Sequence, residues 1–234
     1  MKIVIMNFSG NVGKSTIAAH LLKPRIPDAH VFSVESINSG ADSDGIEVEK
    51  LRGKKFGSLI DSIMLLDSAI IDVGASNVEE FLKQMQQYAG SHEEFDLFII
   101  PTLKEKKVLH DTVNTITALR QIQIPSKKIK VVFNKLDLDE NPFDEFTSLF
   151  GLAKTGECSA HEKGTIYQNE VFERIKGIGK SLGDITKDET DWRQKLREAG
   201  TDEEKENAAR MVAIKRLAVT ANKNLDDVYS WLMK

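Results

Sequence analysis

Gly10, Gly13, Lys14 and Ser15 stand at a spacing that suits the holding of a phosphate chain. They belong to "NFSGNVGKST", Asn7 to Thr16. Glycines let a backbone turn and approach a ligand closely, without the penalty of a Cβ. The N–H groups of Gly10, Asn11, Val12, Gly13, Lys14, Ser15 and Thr16 point at phosphate oxygens if a helix starts here. The Lys14 ammonium then lies between the terminal phosphates, as the catalytic cation, and Ser15 offers its hydroxyl to Mg²⁺. The stretch ends as a Walker A loop ends, yet Phe8 occupies the place of the opening glycine. The bland alternative is a strand-to-helix turn capped by Ser15 or Thr16.

A second candidate is Asp72, at the end of the apolar stretch "SAIID". A carboxylate there can hold the water shell of Mg²⁺ across from Ser15. The competing use, a helix N-cap, is better served by Ser76 or Asn77. A third is "NKLD", Asn134 to Asp137, after another apolar run. It reads either as a base-contacting turn or as a strand end with Asp137 capping. Arg210, Lys215, Arg216 and Lys223 fall in "AARMVAIKRLAVTANK", which has no acidic residue and suits contact with phosphates along DNA. The commoner use of such residues is to solvate a helix face or favour its C-terminal end. "KEKK" at Lys104 and "KKIK" at Lys127 read as solvated ends. The histidines show no metal spacing, Cys158 has no partners for zinc, and Cys158, Ser159 and His161 are too close in sequence for a nucleophilic constellation.

The elements that must place these residues alternate. "KIVIMNF", "HVFSVES", "SAIIDVG", "FDLFIIPT" and "KIKVVFNKLD" are strand candidates, and "AKTGECSA" is a weaker sixth. Between them lie a helix from near Lys14 to before Pro24, "NVEEFLKQMQQYA" ended by Gly90, and "EKKVLHDTVNTITALRQI". Asn141-Pro142 caps and starts the helix "FDEFTSLFG". Continuous apolar strands alternating with helices predict a doubly wound α/β fold, with a mostly parallel sheet covered on both faces. The texture changes after about Gly177. "GIGKSLGDITKDE" reads as a polar connector, Thr201 and Glu204 as a capping box, and Asn224 as the cap of a last helix, "LDDVYSWLMK". The expected organisation is a nucleotide-binding domain over 1–176, with a helical C-terminal extension of it over 177–234.

Composition excludes several classes. A chain of 234 residues with 41% hydrophobic and 29% charged residues can bury a sizeable core. A net charge of -4 argues against a general nucleic-acid coat. One cysteine rules out an internal disulfide framework and suits a reducing compartment. No apolar run approaches a membrane span, and "MKIVIMNFSG" lacks the cleavage site of a signal peptide. A cytoplasmic protein is expected.

The loop resembles the deviant Walker A motif of the ParA/MinD ATPases, of the form Lys-Gly-Gly-Val-Gly-Lys-Thr/Ser. Gly10, Val12, Gly13, Lys14 and Ser15 match it. Ser9 stands where that family has its signature lysine, and Asn11 replaces the second glycine. The likeness in strand order runs over roughly the first 160 residues, and is greatest to StbB-like plasmid-stability proteins. The resemblance implies a P-loop NTPase fold of the SIMIBI type, ATP and Mg²⁺ as ligands, and Asn134 as an adenine contact. It further implies slow hydrolysis acting as a switch in plasmid or DNA partition or positioning. The partners implied are a DNA-bound adaptor protein, non-specific DNA through the basic C-terminal helix, and a second copy in a nucleotide-dependent dimer. Family members carry an acidic pair after the second strand. Here Glu35 fills the first place, Ile37 the second, and Asp42 and Asp44 lie nearby. "NKLD" also fits the guanine-reading Asn-Lys-x-Asp of GTPases, and "ECSAHEKG" resembles their base-closing loop; family position favours ATP, and GTP stays open. A nucleotide-binding adaptor without hydrolysis and a metabolic enzyme on the same scaffold stay open too. Arg25, Arg52 and Lys104 are the candidates to replace the missing lysine.

Overall fold

The structure, a computed structural model, describes residues 1–35, 49–51, 56–176 and 178–234. Ile37, Asp42, Asp44 and Arg52 lie outside the described residues. The strands are β1 (Lys2–Ile5), β2 (His30–Val34), β3 (Glu49–Leu51), β4 (Ala69–Val73), β5 (Leu97–Thr102), β6 (Ile129–Leu136) and β7 (Thr165–Tyr167). They form one sheet in the order β3-β2-β4-β1-β5-β6-β7, and every pairing among them is parallel. Chain direction across the sheet reverses around β1, which lies between β4 and β5. Ligands of doubly wound sheets bind at the carboxyl ends of the strands at such a reversal. The loop after β1 is therefore placed where the sheet opens.

Alternation along β1 feeds two cores. Val4 and Met6 face one side, with α2 (Phe56–Met64), α3 (Val78–Gln87), α4 (Lys106–Gln121) and α6 (Thr147–Lys154), which follows the short α5 (Pro142–Glu145). Ile3 and Ile5 face the other, with α1 (Lys14–Thr16), its π-helical continuation Ile17–Leu22, α8 (Leu182–Lys187) and α10 (Asp202–Leu232). Between these last two, α9 (Trp192–Glu198) packs on α10. Side chains of successive strand residues point to opposite faces, so one apolar run serves both cores. Two of the capping signals read from sequence are formed: Asn141 Oδ1 accepts from Phe143 N, and Thr201 and Glu204 make a capping box. No helix among the described residues is long and apolar enough to cross a membrane.

Four expectations change. "AKTGECSA" is not a strand: α6 runs to Lys154, and only Ser159 bridges to Lys130. The edge position beyond β6 is taken by β7, nearer the end of the chain. The polar connector contains α8, which opens with a capping box of Ser181 and Asp184. Asn224 caps no helix, because α10 runs unbroken from Asp202 to Leu232. Lys130 of "KKIK" is not solvated. It is buried against the Trp231 ring, donates to Leu232 O at 2.9 Å and is held below the ordinary lysine pKa by burial. A lysine at the end of α10 satisfies carbonyls that have no partner within the helix.

His20, on the π-helical turn, is 1% exposed and tilted against Phe172, and burial pushes its imidazole down from 6.5 to about 4. The unfolded chain binds this proton at its ordinary value, so between the two values unfolding takes up a proton. The His20 contribution is fully present above pH 6.5 and is lost as pH falls towards 4. Urea unfolding of wild type and His20→Gln at pH 7.5 and 5 is expected to differ in pH response by about 2 kcal/mol. Comparison of the two proteins separates this from Asp72, whose raised pKa acts in the opposite sense.

Candidate functional site

The loop between β1 and α1 is pinned at its start by α4. Asn7 is fully buried; its amide donates to Pro101 O and to Thr112 Oγ1, both at 2.8 Å. Phe8 N donates to Thr115 Oγ1 at 3.2 Å, and Ser9 Oγ donates to Asp111 Oδ2 at 2.6 Å. Asp111, Thr112 and Thr115 lie on adjoining positions of one helix face. Each uses a short polar side chain to satisfy loop groups that a strand ladder no longer serves. Ser9 is thus turned inward, 6% exposed, and committed to α4.

The middle of the loop is set by left-handed backbone. Asn11 has φ 58° and Gly13 φ 92°. Asparagine tolerates this region better than other side chains, which accounts for Asn11 in place of a glycine. At Gly13 the need is also steric, since a Cβ would come 2.1 Å from Asn134 Nδ2. Through that gap Asn134, at the end of β6, donates to Val12 O at 2.9 Å, while its Oδ1 accepts from Lys135 N. A Cβ on Gly10, by contrast, meets nothing within 4 Å among the described residues.

Beyond the loop, Lys14 is buried and its Nζ donates to Ser9 O at 3.0 Å. Burial holds its pKa below the ordinary value, and the charges of Asp72 and Glu35 oppose that shift. Ser15 Oγ donates to Asp72 Oδ2 at 2.6 Å. Asp72 is 2% exposed, and its Oδ1 is buried without a hydrogen-bond partner among the described residues. Burial pushes this carboxyl up to about 6, despite the Ser15 bond and the Lys14 charge. An ionised carboxylate buried with one oxygen uncompensated is costly, and a hard divalent cation with its water shell is the ligand that oxygen fits.

These groups line one cleft of about 620 Å³. Gly10, Asn11, Gly13, Lys14, Ser15, Thr16, Glu35, Asp72 and Asn134 contribute to it. Ser9 and Val12 lie behind the surface, and Asp137 does not line it. The Asp137 carboxylate is more than half exposed to solvent and 3.9 Å from Lys104, which pairs with Glu140. "ECSAHEKG" does not line it either: Cys158 is buried, its thiol pushed up to about 11, and His161 Nδ1 accepts from Lys163 N. The opposite wall is made by residues that sequence reading passed over: Tyr167 at the end of β7, Gln168 and Asn169 after it, then Phe172 and Glu173 of α7 (Val171–Arg174), and Lys176. A three-residue strand gives no periodic signal, so this wall was not legible beforehand. Among the described residues no group of three or more His, Cys, Asp or Glu could hold a metal.

The architecture matches solved structures of one group. The MinD cell division protein of Aquifex aeolicus superposes with a TM-score of 0.61 at 14% identity, over 99% of this chain and 96% of that one. A variant of Cyanothece McdA in complex with ATP gives 0.54 at 14%, over 94% and 96%. A ParA family ATPase of Chlorobium tepidum gives 0.50 at 15%, over 100% and 97%. The fold is that of the ParA/MinD ATPases. No protein-family model and no curated protein sequence matches the chain.

The two glycines of the ParA/MinD-like loop make different demands. Gly13→Ala is expected to destabilise the fold by about 2 kcal/mol or more, through strained backbone and loss of the Asn134–Val12 bond. Gly10→Ala should change stability by no more than about 0.5 kcal/mol. Chemical denaturation of both variants checks the contrast.

Proposed function

We propose that the chain is a nucleotide-dependent switch ATPase of the ParA/MinD type, acting in partition or positioning of plasmid or other DNA. The observation that carries the reading is the Ser15–Asp72–Lys14 group, with Lys14 and Asp72 buried and one Asp72 oxygen uncompensated, beneath a glycine loop at the reversal of the sheet. A P-loop helix start offers N–H groups to phosphates. Ser15 and Asp72 are the residues that would hold Mg²⁺, which would supply charge neutralisation for the phosphates. Lys14 exchanges its bond to Ser9 O for phosphate oxygens, which adds a cation at the point of greatest negative charge. The burial of these groups strengthens each of these interactions. ATP is the nucleotide favoured, since Asp137, the guanine-reading position of "NKLD", does not line the cleft and is largely exposed. ATP bound to the McdA variant, a protein of the same fold, supports this choice.

The basic C-terminal stretch divides into two groups. Lys215 donates to Asp188 O and Thr190 O, and Arg210 to Arg174 O, so both hold neighbouring loops. Arg216 and Lys223 remain on the outer part of the helix and are the residues left to meet DNA phosphates. An adaptor protein on DNA and a second copy of the chain are the further partners proposed.

Titration of Mg-ATP into Lys14→Ala is expected to show affinity reduced by on the order of 100-fold or more, with the fold retained. Undiminished binding would refute the P-loop reading, and tighter wild-type binding of GTP than ATP would reverse the choice of base.

Self-association should be weak. Ser9 is short, uncharged and tied to Asp111, and Arg25 is spent on Asp226, Asn222 and the carbonyls of His20 and Leu21. Neither offers charge to a facing subunit's phosphates. Sedimentation with ATP and with ADP is expected to show little ATP-driven dimer for the wild-type protein, and more for Ser9→Lys. A tight ATP-dependent dimer of the wild-type chain would show that another cation has taken over.

A further inference from the structure

Asn224 sits in the interior of a 31-residue helix, where asparagine is a poor choice. Its side chain explains the position. Oδ1 accepts from Tyr167 N at 3.0 Å, and Nδ2 donates to Thr165 O at 2.8 Å. Both backbone groups belong to β7, the edge strand, and flank Ile166. One residue of a further parallel strand would satisfy the same pair. The amide of Asn224 thus stands in for a missing strand, supplying one donor and one acceptor to a sheet edge that α10 covers.

The bonded strand leads directly into the cleft. Tyr167, Gln168 and Asn169 follow one another along the wall opposite the phosphate loop. Gln168 N donates to Leu136 O, so β6 holds this segment from one side and Asn224 from the other. One turn of α10 also reaches the loop side. Asn222 and Asp226 hold Arg25, whose guanidinium satisfies the carbonyls of His20 and Leu21 at the end of the first helix. Residues 222–226 therefore brace β7 and the end of the first helix from outside the cleft.

We propose that Asn224 is a positioning residue for nucleotide binding, fixing the wall that meets the nucleoside while leaving the phosphate loop unaffected. The proposal rests on the nucleotide reading above. Its chemistry is indirect: Asn224 stands outside the cleft and acts through the backbone of Thr165 and Tyr167. Loss of both bonds frees a three-residue strand whose remaining sheet partner is β6.

The test is a pair of titrations, Mg-ATP and Mg-tripolyphosphate, on wild type, Asn224→Leu and Asn224→Asp. Leucine keeps the size and raises helix propensity but removes both bonds, whereas aspartate keeps only the acceptor for Tyr167 N. Asn224→Leu is expected to weaken ATP about 5- to 10-fold, as befits the loss of two ordinary hydrogen bonds, with tripolyphosphate affinity unchanged. Asn224→Asp should fall between, and it carries the test if the leucine variant does not fold. Equal weakening of both probes would reveal a general structural effect and overturn the proposal. Unchanged ATP affinity in folded variants would overturn it as well. Wild-type protein that binds tripolyphosphate but no nucleotide would defeat the nucleotide reading itself.

Discussion

A carboxylate buried at the carboxyl end of β4 constrains everything around it. Asp72 is 2% exposed, and one of its oxygens has no partner among the described residues. Burial of such a group is unfavourable unless hydrogen bonds or opposite charge compensate it. Ser15 and Lys14 provide that compensation in part, and both come from the first turn after the β1 loop. For them to arrive, the loop must leave β1 beside β4, turn through left-handed backbone and enter a helix within a few residues. The left-handed turn through Asn11 and Gly13 and the start of α1 at Lys14 meet that requirement.

The loop is held from three directions, each with its own chemistry. Asp111, Thr112 and Thr115 of α4 bond its first residues. Asn134 of β6 passes through the space that Gly13 leaves and bonds Val12 O. Asp72 of β4 receives Ser15. These contacts join residues 57 to 122 positions apart in the chain, so the loop's shape belongs to the whole sheet. Preorganisation of this kind means that ligand binding spends less on ordering the loop.

The C-terminal helix extends the same logic to the back of the molecule. It buries an apolar stripe from Met211 to Leu232 in the core shared with α1. Its polar residues 222–226 reach Arg25 on one side and β7 on the other. A helix that reads as an appendage in sequence thus covers the edge of the sheet and braces β7, whose Tyr167 lines the cleft. Paired polar groups of this kind, half-buried or at the surface, add a fixed register to apolar packing, which alone tolerates sliding.

Much of this was legible in the residues. Apolar runs of strand length, separated by amphipathic stretches, determined a parallel α/β sheet, because strands buried on both faces need continuous apolar sequence. Gly13, Lys14, Ser15 and Asp72 stood out by type and spacing, and the fold brings them to one cleft. Asn141-Pro142 and Thr201 with Glu204 marked helix starts through local hydrogen bonding alone. What tertiary structure decided depends on contacts that no short window contains. Asn134 and Lys135 of "NKLD" line the cleft while Asp137 does not, and Ser9 looks like a gap until Asp111 is found beneath it. Asn224 has the composition of a helix cap, but its partners on β7 lie 57 and 59 residues away. Local sequence fixes which groups a residue can bond; only the packing of distant elements fixes which of those groups it meets.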